Sequence, residues 1–147
     1  MTLVDEKNER WNFFHKITGD AMKVYNKFHA GLLESAYEAG LKFLLERDGY
    51  KVEEQVYVPM FWDDIRLEQS YRIDLLVNDD IIIELKTAKF IGTEHRRQLW
   101  NYMNLTHKPY GMLINFTEEG LYSEWYYRDP ETEKIDKIKI NKGAKDL

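Results

Sequence analysis

Three residues near the middle of the chain, Asp74, Glu84 and Lys86, have the types and spacing to do chemistry together. They sit in two strongly β-forming runs, 71–77 (YRIDLLV) and 81–87 (IIIELKT), joined by the turn-prone triplet Asn78–Asp79–Asp80. If that triplet is the loop of a hairpin, Val77 faces Ile81, Leu75 faces Ile83 and Asp74 lies opposite Glu84. Opposed residues of an antiparallel pair project to the same side, with Cβ atoms roughly 4.5–5.5 Å apart. One face then carries Ile73, Leu75, Val77, Ile81, Ile83 and Leu85, and the other Arg72, Asp74, Leu76, Ile82, Glu84 and Lys86. A two-residue loop would put Asp74 and Glu84 on opposite faces, so the parity of the turn decides whether they form a site.

Two adjacent carboxylates repel each other unless a proton or a cation lies between them. Their oxygens are hard ligands suited to Mg²⁺ or Mn²⁺, and the chain has no cysteine to favour a softer metal. Lys86 shares the face of Glu84 by strand alternation. An ammonium there can orient or help deprotonate an attacking water and offset transition-state charge. Such a set suits phosphodiester hydrolysis. Salt bridges Asp74–Lys86 and Arg72–Glu84 on a solvated sheet face would satisfy the same short pattern, and the hairpin alone does not separate the two readings.

The remaining chain supplies the elements that must position this hairpin. Residues 1–17 are weakly patterned, with Trp11, Phe13, Phe14 and Ile17 marking a segment that packs onto the body; Thr18 is the expected cap of a first helix. A break at His29–Ala30–Gly31 precedes a second helix in which Leu33, Tyr37, Leu41, Leu44 and Leu45 recur at helical spacing, stopped at Asp48–Gly49. Residues 50–61 alternate as a strand through Val52, Val56 and Val58. After the hairpin come a helix from Thr93 to Leu105, a strand at 110–116, and a closing hairpin of Gly120–Arg128 with Lys134–Ile140 around Asp129–Pro130. The expected fold is α/β (α+β), a central mixed sheet flanked by helices, in the order α-β-β-β-α-β plus a C-terminal β-hairpin.

Length and composition bound the rest. The 147 residues suit one domain, 1–147, with a single continuous core. The formal charge of −5 argues against a nucleic-acid partner, whose phosphates are met by Lys and Arg, but residues 86–108 carry Lys86, Lys89, Arg96, Arg97 and Lys108 against Glu94 alone. An acidic metal site would also make the formal count too negative. The lack of cysteine excludes a disulfide scaffold and a thiolate zinc site and suits a reducing compartment. With no apolar run near the roughly 20 residues of a membrane span and a polar start, MTLVDEKNERW, the expected location is cytoplasmic.

Four motifs in order extend the pattern beyond the hairpin: Gly31-Leu-Leu-Glu34-Ser-Ala-Tyr37, Tyr71-Arg-Ile-Asp74, Glu84-Leu-Lys86, and Gln98-Leu-Trp-Asn-Tyr102 within Arg96–Tyr102. From about Ile17 to Phe116, including the strand GMLINF, they resemble the GxxExxY family of the RecB-like PD-(D/E)XK nuclease superfamily. The resemblance implies a restriction-endonuclease-like core and metal-dependent hydrolysis of nucleic acid, with DNA the expected substrate. It makes Asp74 and Glu84 metal ligands with Glu34 an additional acid, Lys86 the active-site lysine, and Gln98 and Tyr102 the helix motif that positions substrate. Gln98 and Tyr102 are four apart and share a helix face, as Glu34 and Tyr37 do at three; Tyr37 reads as packing. His95, Arg96 and Arg97 join the substrate-contact set by residue type and place, and Arg72 lies where it would balance the acidic pair. Trp62, Trp100, Trp125 and Tyr126–Tyr127 could stack on bases, with core packing the plainer reading. The chain departs from the family in having Phe28-His-Ala-Gly31 where a Gly-Pro-Gly-type turn is usual, and it is poorly covered after Gly120. Against the nuclease stands a binding module that keeps the fold with weak or no catalysis, acting with a protein partner or as a homo-oligomer.

Overall fold

The structure, a computed structural model, describes residues 11–69 and 71–138. Helix α1 (Asn12–Phe28) starts earlier than its sequence pattern suggests. Phe14, Ile17, Ala21 and Val24 form one buried stripe at spacings of three and four, and Thr18 lies buried inside the helix instead of capping it. The polar residues and glycine between those stripe positions had hidden the period. The chain leaves α1 at His29, with φ 60°, passes Gly31 at φ 102°, and enters α2 (Glu34–Arg47), which stops before Gly49 at φ 96°.

Strand β1 (Val52–Tyr57) ends earlier than the expected strand 50–61, because Phe61–Trp62 (β2) and Ile65–Arg66 (β3) fold into a small separate hairpin. Strands β4 (Arg72–Val77) and β5 (Ile81–Lys86) are joined by Asn78–Asp80, with Leu75 paired to Ile83 and Val77 to Ile81, as the three-residue loop requires. Asn78 and Asp79 both have positive φ, a conformation that short polar side chains tolerate. Helix α3 (Thr93–Thr106) crosses over to β6 (Tyr110–Thr117), which runs parallel to β5; β7 (Gly120–Arg128) and β8 (Ile135–Lys137) then extend the sheet antiparallel. The six-stranded order is β1-β4-β5-β6-β7-β8. The C-terminal part expected at 139–140 lies outside the described residues.

Helices cover both faces, which is why β5 and β6 read as continuous apolar runs. On one face α1 and α2 pack Phe14, Ile17, Tyr37, Leu41 and Leu45 against Leu75, Val77, Ile83, Leu85, Met112 and Ile114. On the other, Leu99, Tyr102 and Met103 of α3 meet Leu76, Ile82, Leu113 and Tyr126. Each such side chain contributes roughly 1.5–3 kcal/mol by leaving water. A Cβ on Gly111 of β6 would lie 2.6 Å from Met103 Sδ and 3.1 Å from Leu99 Cδ1, so the missing side chain lets α3 settle close onto the sheet. Trp125 stacks on Phe14 at 5.1 Å, placing that aromatic in the core.

One expectation about the hairpin fails. Ile73 belongs to the α3 cluster, away from Leu75 and Val77, and Val56 and Val58 join it there while Val52 stays on the α1–α2 side. Alternation breaks in both strands at one level, that of Gln55 in β1 and Asp74 in β4.

Candidate active site

Asp74 sits where the sheet opens. The β4–β5 ladder ends at Leu75–Ile83. At the next level the side chains take over the backbone's work: the Asp74 N–H donates to Glu84 Oε2 at 2.8 Å, and the Leu85 N–H donates to Asp74 Oδ2 at 2.8 Å. The carboxylates thus face each other across parted strands, each with one oxygen engaged by the other residue's strand. On the β1 side the ladder also skips this level, running from Glu54–Leu75 to Val56–Ile73.

Both acids lie in an environment that resists ionisation. Burial, reinforced by the charge of Asp74, pushes Glu84 up to about 8 against the pull of the Asp74 N–H and Lys86. Asp74 is raised as well, chiefly by burial, with the Leu85 N–H, Lys86 and Gln55 opposing. Neither of the salt bridges Asp74–Lys86 and Arg72–Glu84 forms among the described residues.

Lys86 is instead held from α3. Its Nζ donates to Gln98 Oε1 at 2.8 Å, and Gln98 Nε2 donates to Tyr102 Oη at 3.2 Å. Tyr102 is buried and its ring lies 5.9 Å from that of Tyr71. The two residues four apart on the helix therefore act as one bracket, with the amide oxygen fixing the ammonium beside Glu84.

Helix α2 contributes differently from its motif. Glu34, at the first position of the helix, is exposed; its charge pushes Glu84 upward, but less than burial or Asp74 does. One turn later Glu38 is buried, raised to about 7 by burial and by Asp74, and accepts a hydrogen bond from Gln55 Nε2 at 2.9 Å. Gln55 Nε2 also lies 3.4 Å from Asp74 Oδ1. Sequence reasoning missed both. Glu38 was within reach, four residues after Glu34 on the same helix face; nothing in the sequence marked Gln55. Tyr37 is structural, as expected: it stacks on Phe116 at 4.2 Å, donates to His29 O and accepts from Leu32 N–H, so it pins the turn that launches α2.

The expected substrate contacts divide. Arg96 gives Nε and Nη2 to the buried Glu124 at 2.8 and 2.7 Å. Burial alone would raise Glu124, but Arg96, the hydroxyls of Tyr122 and Tyr126, and Lys137 hold it down at about 2. Arg96 is thus a structural partner of β7. Arg72 does not balance the acidic pair: it is exposed, donates to Tyr57 Oη at 2.7 Å and lies over that ring. His95 accepts the Gly92 N–H on Nδ1 at 3.0 Å and so closes the first turn of α3. Arg97 is exposed with no ion pair among the described residues. Trp62 is exposed on the β2–β3 hairpin, and Trp100 packs edge-on to Tyr126.

Among the described residues no group of three His, Asp or Glu side chains is placed to hold a metal; Glu34 stands exposed at the start of α2, near enough for its charge to act on Glu84. The pair itself fits a hard divalent cation. Glu84 is buried and Asp74 half-buried, both are raised in pKa, and Mg²⁺ commonly takes one or two carboxylates and completes its shell with water and substrate oxygens. A cation bound there would supply Lewis-acid polarisation of a phosphoryl oxygen and acidify a water.

A six-stranded mixed sheet flanked by helices, with two carboxylates and a lysine at parted central strands, defines a restriction-endonuclease-like core. The family described as the PD-(D/E)XK nuclease superfamily matches residues 12–126, and the chain belongs to it. The crystal structure of SSO0001 aligns with 67% of this chain and 53% of its own at 20% identity and a TM-score of 0.51, so this chain spans about half of that protein. That likeness is one of fold. A crystal structure of an alkaline exonuclease (LHK-Exo) from Laribacter hongkongensis aligns over 77% of this chain and 81% of its own, at 15% identity and a TM-score of 0.42. No curated protein matches the chain. No helix among the described residues is long and apolar enough to cross a membrane.

Proposed function

We propose that the protein is a Mg²⁺- or Mn²⁺-dependent nuclease of the GxxExxY, RecB-like kind that hydrolyses phosphodiester bonds in DNA. The observation that carries this reading is the reciprocal engagement of Asp74 and Glu84 across parted strands, with Lys86 held beside them by Gln98. In this reading Asp74 and Glu84 hold the cation, and Glu34 adds negative charge from the start of α2. Lys86 presents an ammonium to the attacking water or the scissile phosphate, where it offsets developing charge. Gln98 and Tyr102 fix that ammonium, and Arg97, exposed and without an ion pair among the described residues, is available to meet phosphate.

The test is a cleavage screen over linear, circular, single- and double-stranded DNA, and over RNA, with Mg²⁺, Mn²⁺ or EDTA. Glu84→Gln and Lys86→Met are the controls. Cleavage that needs the cation and is lost in both variants is the expected result; cleavage that survives both sinks the assignment. One observation favours the binding-module reading: with Arg96 committed to Glu124, the cationic surface around the site is thinner than the sequence suggests. Salt-sensitive DNA binding without cation-stimulated cleavage would support it.

A further inference from the structure

Among the described residues, Gln55 has the one positive φ outside glycine that neither a turn nor a helix end explains. It lies inside β1, yet its φ is +52°. The β1–β4 register is the same on both sides of it, Glu54 with Leu75 and Val56 with Ile73, so no residue is inserted and this is not a bulge. A left-handed glutamine in a strand is strained, because its Cβ crowds the following carbonyl, and such outliers persist where the surroundings hold them. What the strain achieves is visible at the other end of the side chain. Nε2 carries two hydrogens and meets two carboxylates: Glu38 Oε1 at 2.9 Å and Asp74 Oδ1 at 3.4 Å. Glu38, buried on α2, accepts only from the nitrogen end of the amide, and so decides which way the amide points. With Oδ2 fixed by the Leu85 N–H, both oxygens of Asp74 are then held.

We propose that Gln55 is a positioning residue for Asp74, oriented in turn by Glu38, and that together they set the Asp74 carboxylate to receive a divalent cation. The proposal rests on the metal-dependent reading above. Partners in this indirect role typically contribute about 10–100-fold in metal affinity.

The probe is Mn²⁺, with free ion counted by electron paramagnetic resonance on the full chain, beside thermal melts. Gln55→Gly removes the amide but accepts a positive φ without strain. It is expected to bind Mn²⁺ about 10–100-fold more weakly while melting no lower than wild type. Its kcat falls with KM unchanged, since Gln55 touches Asp74 and not substrate. Glu38→Ala, which frees the amide to turn, is expected to weaken Mn²⁺ less than Gln55→Gly. Wild-type Mn²⁺ affinity in Gln55→Gly overturns the proposal, as does a loss of affinity that tracks a fallen melting temperature. Should Gln55→Gly not fold, unchanged affinity in Glu38→Ala overturns it equally. Glu84→Gln separates the two levels: if wild type binds Mn²⁺ no better than this control, the metal-dependent reading itself fails.

Discussion

Replacing Glu84 by glutamine should make the protein more stable and inactive. Glu84 is 2% exposed, and burial together with Asp74 raises its carboxyl from 4.5 to about 8. A group whose folded pKa is raised stabilises the fold fully below its unfolded value, and that contribution is lost as pH climbs from 4.5 through 8. At pH 7 the unfolded chain has ionised this group while the folded chain mostly has not, a difference of about 2.5 pH units or roughly 3 kcal/mol. Glutamine removes the difference and can still accept the Asp74 N–H, but its new NH₂ lacks an assigned acceptor, which offsets part of the gain. The net expectation is about 1–3 kcal/mol at pH 7, or roughly 3–10 °C in melting temperature for a chain of this size. Calorimetric melts of both proteins in EDTA at pH 5, 6, 7 and 8 should show an advantage for Glu84→Gln that is near zero at pH 5 and grows to pH 8. Adding Mn²⁺ at pH 8 should raise the wild type and leave the variant unmoved. A variant that is less stable at pH 8, or whose offset does not change with pH, refutes the reasoning.

Three further outcomes follow from contacts elsewhere. Arg96→Met removes the two-pronged partner of the buried Glu124 and leaves only the exposed Lys137 at 3.8 Å, and should cost about 3–5 kcal/mol in urea unfolding at pH 7. Glu124 is held low, so its stabilisation exists above pH 4.5 and fades as pH falls toward 2; the wild type should show that acid limb and the variant should not. Tyr37→Phe keeps the stack on Phe116 but loses the hydroxyl's two backbone partners, His29 and Leu32, and should lower stability by about 1–2 kcal/mol. Gln98→Leu releases Lys86 and should reduce cleavage about 10–100-fold, with a urea midpoint close to wild type.

How much of this was legible depended on whether the physics was local. The hairpin over residues 71–87 was legible from its runs of Val, Ile and Leu, but the parity of Asn78–Asp80, on which the facing of Asp74 and Glu84 depends, stayed a condition that the register supplies. The pairing of Gln98 with Tyr102 could be expected from helix spacing, whereas the bond of Gln98 to Lys86 joins residues brought together only by the crossover. The pairing of Arg96 with Glu124 was out of reach because Glu124 is 28 residues away on a strand with no motif; an arginine on a helix looks the same in sequence whether it faces phosphate or a buried acid. The flip of Ile73 to the α3 side was invisible for the same reason that Gln55 was. A left-handed φ at a glutamine is no preference of the residue, and it coincides here with contacts to Glu38 and Asp74 that lie on other elements of the fold.

The opening at Asp74 also dictates how the site must be tested. In a closed sheet a carboxylate can be cut back to alanine with little effect on the ladder, because backbone groups satisfy one another. Here the ladder has no rung at this level, and Asp74 and Glu84 supply the acceptors for the N–H groups of Leu85 and Asp74. Alanine at either position orphans a part-buried donor, at about 1–3 kcal/mol each. An inactive alanine variant would therefore mix lost chemistry with a loosened β4–β5 hairpin. Asn at 74 and Gln at 84 retain an oxygen for those donors while losing the charge and exchanging the other oxygen for an NH₂. Asp74→Asn should thus melt at or above the wild-type temperature at pH 8 while failing to bind Mn²⁺, and Asp74→Ala should melt below it. If the alanine and asparagine variants melt alike, the carboxylate is not serving as a backbone acceptor, and the opening is not held as described.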